Sequence, residues 1–266
     1  AAIRRGWRAD AVIIPEPTVE HGVPKLVIAQ AGAMSFRLDV PGRGAHASMR
    51  LLGENALDHF LTLYRAIRED ERRINAAESH PLMAELGLPY ASSVGIVAGG
   101  DHSSSVIDRL HAEVRVGIRL GETIAEAEAR FRAVLDDCAR QDRWLSRNPP
   151  HVERPACGFG SAAIPADHPL VTTLSAQAAH QFGQTPRVTA TPYASDMSAW
   201  VHLADSPTVL YGPGELSCAH CADEWVSLAV TESVARVLMA TTQTLLHQLP
   251  GHPEAGMADN NGKSAQ

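Results

Sequence analysis

From Leu110 to Leu120 every second residue is apolar: Leu110, Ala112, Val114, Val116, Ile118 and Leu120 are set against His111, Glu113, Arg115, Gly117 and Arg119. Successive side chains on a strand point to opposite faces, so this stretch reads as a long strand with one face in a core and the other toward water or a ligand. The same alternation runs through Met34, Phe36, Leu38 and Val40 against Ser35, Arg37 and Asp39. By contrast, AVIIP (11–15) and PTVLY (207–211) are continuous apolar runs, and AVIIP has the pattern of a strand covered on both faces of an α/β sheet. The chain therefore needs two kinds of sheet, a half-exposed antiparallel one in its middle and an α/β one built from segments near both ends.

Between the alternating strands, Leu57, Phe60, Leu61, Tyr64 and Ile67 recur at helical spacing and predict a helix over 54–68. A strand near 92–98 ends at the Gly99-Gly100 turn. Thr123 and Glu126 have the spacing of a capping box, and Ile124, Ala127, Phe131, Val134, Leu135 and Cys138 carry the helix that follows. Strand, helix, strand, strand, helix predicts a compact α+β domain over 29–142. After an SRNPP linker the α/β pattern returns, with a helix opened by Pro169, a short strand near 187–190, the PTVLY strand and a helix over about 231–247. The expected division is an α/β domain in two parts, 1–28 and 143–250, with 29–142 inserted between them and a polar, disordered tail at 251–266.

A formal net charge of -7 and a pI near 6.0 give no basic field for nucleic acid or an anionic membrane, and neither partner is expected. No apolar run approaches the ~18 residues of a membrane span, and AAIRRGWRAD lacks the apolar centre of a signal peptide. Four cysteines in 266 residues are too few for a disulfide scaffold and fit a reducing compartment, so a soluble, cytoplasmic protein is expected. The opening AAIRRGW, which runs straight into a strand, reads as the start of a fragment whose first part is missing.

The stretch YGPGELSCAHCADEW (211–225) sets His220 between Cys218 and Cys221. A zinc ribbon needs a second close pair, but Cys138 and Cys157 lie 19 residues apart; c-type haem attachment needs a histidine where Ala222 stands. A thioredoxin-like pair opens a helix after a strand, whereas this one follows Gly-Pro-Gly in a loop. GMADNNGKS in the tail has five residues between its glycines where a phosphate loop has four, and no G-x-S-x-G occurs. Glu16, His46 and His220 remain. Glu16 and His220 each follow an apolar strand of the α/β part, where open α/β sheets place their sites, and a carboxylate with an imidazole suits zinc or its first-row neighbours. The plain alternative for each is a solvated loop side chain.

Five segments taken together resemble one family. DAVIIPEPT (10–18), VPGRGAHAS (40–48), the 94–123 run from VGIVAGG to LGET, YASDMSAW (193–200) and YGPGELSCAHCADEW are similar, in order, to the metal-dependent amidohydrolases that include acetylornithine deacetylase, succinyl-diaminopimelate desuccinylase, aminoacylase and glutamate carboxypeptidase. The resemblance implies a zinc-peptidase-like α/β catalytic domain, incomplete here, with an inserted α+β lid or dimerisation domain made of an antiparallel sheet and two helices. It implies that Glu16 binds one of two zinc ions and His220 the other, with cobalt or manganese as possible replacements. His46 would reach the partner subunit's site in a homodimer and hydrogen-bond the oxyanion. Arg115, Asp196 and Gly214 would contact the substrate, an N-acyl amino acid or small peptide whose amide bond is hydrolysed. The sequence departs from the family by lacking the upstream H-x-D motif, the bridging aspartate and the Glu-Glu pair, so the chain alone is expected to be inactive. Ser105 and Asp108 stand where several relatives have Asn and Pro. The competing expectation is a non-catalytic dimerisation or scaffold module.

Overall fold

The structure, a computed structural model, describes residues 2–219 and 221–248. The expected tail at 251–266 lies outside them. The chain begins with β1 (Val12–Pro17), a small hairpin of β2 (Val19–Glu20) and β3 (Val23–Pro24), and β4 (Leu26–Gln30). It then enters the middle unit through β5 (Gly32–Pro41), α1 (Ala56–Ala76), the short α2 (Pro81–Ala84), β6 (Ser93–Gly99), β7 (Arg109–Ile118), α3 (Ile124–Gln141) and β8 (His151–Glu153). It returns through β9 (Ala162–Ala163), α4 (Pro169–Phe182), β10 (Val188–Thr191), α5 (Met197–Ala204), β11 (Thr208–Gly212) and α6 (Leu228–Gln248).

The middle unit is a four-stranded antiparallel sheet in the order β6-β7-β5-β8. β5 and β7 pair along their whole lengths, from Gly32 opposite Ile118 to Pro41 opposite Arg109. Their alternation puts Met34, Phe36, Leu38 and Val40 beside Leu110, Val114 and Val116 on one face, where Phe60, Leu63 and Ile67 of α1 and Phe131 and Leu135 of α3 close the core. Each such side chain contributes about 1.5–3 kcal/mol on burial, so this face is what holds the two helices to the sheet. The Thr123–Glu126 capping box is formed: Glu126 N donates to Thr123 Oγ1 at 3.2 Å and Thr123 N to Glu126 Oε2 at 2.9 Å. β8 follows the SRNPP stretch and pairs with β5, so the sheet draws its fourth strand from beyond residue 142.

α1 runs past the predicted end at 68 to Ala76. Its apolar stripe stops at Ile67, but the inner face continues through Asp70, Glu71 and Ile74, all buried. Asp70 pairs with Arg130 of α3, and Glu71 with Arg68 and the backbone N–H of Ser92. In sequence those charges read as a solvated end; in the fold they are the seam between the two long helices.

In the α/β part the sheet order is β1-β11-β4-β10, with β9 also on β4. β1 runs parallel to β11, and β10 parallel to β4. β11 is buried at every position, but β1 is only half-buried, against the expectation of a strand covered on both faces. The reason is its place at the outer end of the described sheet, with β11 its one described neighbour there. α5 was not foreseen because eight residues are too few to show a stripe, and α6 starts at Leu228, ahead of the predicted 231. A small buried cluster of Ala29, Ala31, Ile74, Met83, Tyr90 and Ala190 joins the two units.

Candidate active site

Glu16 is the second-last residue of β1, inside the strand instead of beyond it. Parallel pairing sets Pro17 opposite Gly212, so Glu16 and the loop after β11 leave the carboxyl ends of adjacent strands together. The approach is close: a Cβ on Gly212 would lie 2.5 Å from the carbonyl oxygens of Pro15 and Glu16. Gly214 then turns the chain with φ +90°, a conformation that side chains on Cβ disfavour, and its carbonyl accepts from Val19 N at 2.9 Å. It thereby lies against Pro17, beside Glu16.

Tyr193 connects this corner to the middle unit. Its hydroxyl donates to the Pro17 carbonyl at 3.2 Å, and burial, with the Glu16 carboxylate adding to it, pushes the phenol up to about 12. One residue earlier, the Pro192 carbonyl accepts from Arg115 at 3.5 Å, while the Ala91 carbonyl accepts a second guanidinium bond at 3.1 Å. Arg115 sits opposite Ser35 and Ser93 on the open face of the sheet, and burial lowers its pKa from the ordinary value. An arginine has five N–H donors, so the two carbonyls leave others for a carboxylate. Asp196 is exposed just before α5, on the rim of a cleft of about 900 Å³ shared with Leu120–Ala125 and Gly158–Ala163.

Gln30, which the sequence reading missed, organises this region. It is fully buried at the end of β4, donates to the Gly160 and Ser195 carbonyls at 3.2 Å, and accepts from Ser195 N at 3.1 Å and Ser195 Oγ at 2.5 Å. The one signal was a polar residue closing the apolar run LVIA. Ser161 Oγ adds a bond to the Arg119 carbonyl at 2.8 Å across the same junction.

His46 lies elsewhere. It caps the short 3-10 turn Ala47–Leu52, its Nδ1 accepting from Ser48 N at 3.2 Å. A ring nitrogen that accepts is bare, so in the neutral ring the proton sits on Nε2. The residue is exposed and borders a cleft of about 410 Å³ with Gly44, His102, Ser105 and Asp108. β5 begins at the junction and ends five residues before His46. Ten strand residues span roughly 30 Å, so His46 is at the far end of the middle unit from its own Glu16 corner.

Among the described residues no three His, Cys, Asp or Glu side chains form a group that would hold a metal ion. His220, expected to be a ligand, lies outside the described residues. A catalytic zinc centre uses about three protein ligands, so Glu16 as the described donor does not by itself fit one, and these residues license no catalytic step through an ion.

Residues 28–143 match the model of a family described as a peptidase dimerisation domain. Over 251 residues the chain is 22% identical to the N-formyl-4-amino-5-aminomethyl-2-methylpyrimidine deformylase of Bacillus subtilis, covering 89% of this chain and 58% of that protein. Over 249 residues it is 23% identical to an acetylornithine deacetylase of Photorhabdus laumondii, covering 92% and 57%. A metallo-carboxypeptidase from Sulfolobus solfataricus superposes with a TM-score of 0.67 at 14% identity, covering 90% of this chain and 65% of that one; identity so low establishes the fold alone. The chain spans less than two thirds of the length of each.

Proposed function

We propose that this chain, in which residues 28–143 belong to the peptidase dimerisation domain family, is the lid-bearing part of a metal-dependent hydrolase that cleaves an amide bond in N-acyl amino acids or small peptides. In this reading 29–142 is the lid and dimerisation domain, and 1–28 with 143–250 belong to the catalytic domain. The observation that carries it is the chain of contacts from Glu16 and Pro17 through Tyr193 and Pro192 to Arg115, which sets a carboxylate, a glycine turn and a spare guanidinium around one corner. Arg115 binds the substrate carboxylate, and Asp196 and Gly214 border the bound molecule. Glu16 and His220 each offer one donor to a divalent ion, zinc or in its place cobalt or manganese, which when bound supplies Lewis-acid chemistry.

His46 acts on the other subunit of a homodimer. Its place some 30 Å along the lid from its own Glu16 corner supports a role at a partner's site. There its Nε2–H donates to the carbonyl oxygen, and that bond strengthens as the carbon becomes tetrahedral and the oxygen gains charge.

The test is hydrolysis of N-acetyl, N-formyl and N-succinyl amino acids and of dipeptides, by this chain and by a form extended with its upstream coding sequence, with zinc, cobalt or manganese added. The reading expects metal-dependent release of the free amine in an active form, abolished by Glu16→Gln and lowered by His46→Ala with folding intact. Activity that survives both substitutions, or none in any form, contradicts it.

A further inference from the structure

Cys218 and Cys221 have no part in the chemistry above. Both thiols are free; Cys218 is half-buried at the end of the 3-10 turn Leu216–Cys218, and Cys221 is exposed. The turn is closed by Cys218 N donating to the Glu215 carbonyl at 3.0 Å and Ala219 N to the Leu216 carbonyl at 3.1 Å. Cys221 Sγ lies 2.8 Å from the Cys218 carbonyl oxygen. That carbonyl is attached directly to the Cys218 Cα, so the two side chains start from neighbouring points. A carbonyl oxygen is about 2.4 Å from its own Cα, so the Cys221 sulfur lies within roughly 5 Å of the Cα that carries the Cys218 side chain, which is the range in which a disulfide can close. The other two cysteines differ: Cys138 is in α3, and Cys157 lies in the segment that returns from the middle unit.

We propose that Cys218 and Cys221 form a reversible disulfide site, oxidised by a peroxide, which closes a ring over the intervening residues of the loop after β11. The exposed Cys221 sulfur attacks one peroxide oxygen and the O–O bond breaks, giving a sulfenic acid and one water. The Cys218 sulfur then displaces the sulfenic oxygen, forming the S–S bond; that oxygen leaves as hydroxide and takes up the remaining thiol proton as a second water. Two thiols are oxidised and one peroxide is reduced. The inference stands on the two thiols and holds whether or not His220 binds a metal.

Trypsin isolates the pair, because residues 188–236 contain both cysteines, neither of the other two, and no Lys or Arg before Arg236. The purified chain is treated with one equivalent of hydrogen peroxide, alkylated, digested and weighed. The expected peptide 188–236 is lighter by two hydrogens and carries no alkyl group, and dithiothreitol before alkylation restores both alkylation sites. In Cys218→Ser the sulfenic acid on Cys221 persists and is trapped by dimedone. Full alkylation of both cysteines after a treatment that oxidises Cys157, or a disulfide joining either to Cys157 or to a second chain, overturns the proposal.

Discussion

At the scale of single residues, the Glu16 corner is set by how closely two strands approach. Gly212 is where β11 touches β1, and any Cβ there meets the backbone of Pro15 and Glu16 at 2.5 Å. Gly212→Ala must therefore spread the strands at the proposed site, and a loss of about 3 kcal/mol in urea denaturation is expected, as for other overpacked positions. Tyr193 gives a second handle. Burial first, and the Glu16 charge with it, raise its pKa from 10.0 to about 12; burial also raises Tyr211, and burial with the bond to Glu78 raises Tyr90. The folded chain then keeps protons that the unfolded chain releases, so this contribution is whole below pH 10 and is lost as the pH climbs through 12. The urea midpoint should fall across that window; a midpoint that stays level there would show the phenols to be less enclosed than the structure has them.

At the scale of elements, what the sequence disclosed depended on which periodicity carried it. The alternation in 33–40 and 110–120 disclosed β5 and β7, and the Thr123–Glu126 spacing disclosed the start of α3, because each signal is local. α1 was read short because its buried seam changes from apolar to charged at Asp70, and a sequence does not say that Asp70 faces Arg130 from another helix. Gln30 was missed for the same reason, since its partners Gly160 and Ser195 are far along the chain. Glu16, His46, His220, Arg115, Asp196 and Gly214 were singled out by motif, and the structure adds the contacts that connect Glu16, Gly214 and Arg115. The α1–α3 seam yields its own prediction. Asp70→Ala removes one of the two carboxylates that hold Arg130, Glu122 remaining at 2.8 Å, and a loss of about 1.5–3 kcal/mol is expected by chemical denaturation, whereas a solvated pair would cost well under 1 kcal/mol.

At the scale of the whole molecule, the middle sheet ends, among the described residues, in an edge strand without an outer neighbour. β6 ends the order β6-β7-β5-β8, and its residues Ile96 and Val97 are 49% and 51% exposed. An unpaired antiparallel edge with apolar side chains pairs readily with its own copy about a two-fold axis. Sedimentation should then give a dimer of the 28.5 kDa chain, and Val97→Lys should shift it toward monomer without lowering its melting temperature. A monomer at high concentration in the unaltered chain would count against pairing at this edge.

The central claim is that one subunit's His46 serves the site built on its partner's Glu16, and mixing tests it most directly. In a form of the protein active in the hydrolysis assay, His46→Ala and Glu16→Gln homodimers should each be nearly inactive, the first by roughly 10² to 10³-fold in kcat, as for loss of one oxyanion donor. Subunits exchanged at equal concentration give mixed dimers in which one of the two sites has both an intact Glu16 and an intact His46. About a quarter of the unaltered activity should return on mixing, since half of the dimers are mixed and each has one whole site. Activity that stays at the level of the separate variants after exchange would contradict the account.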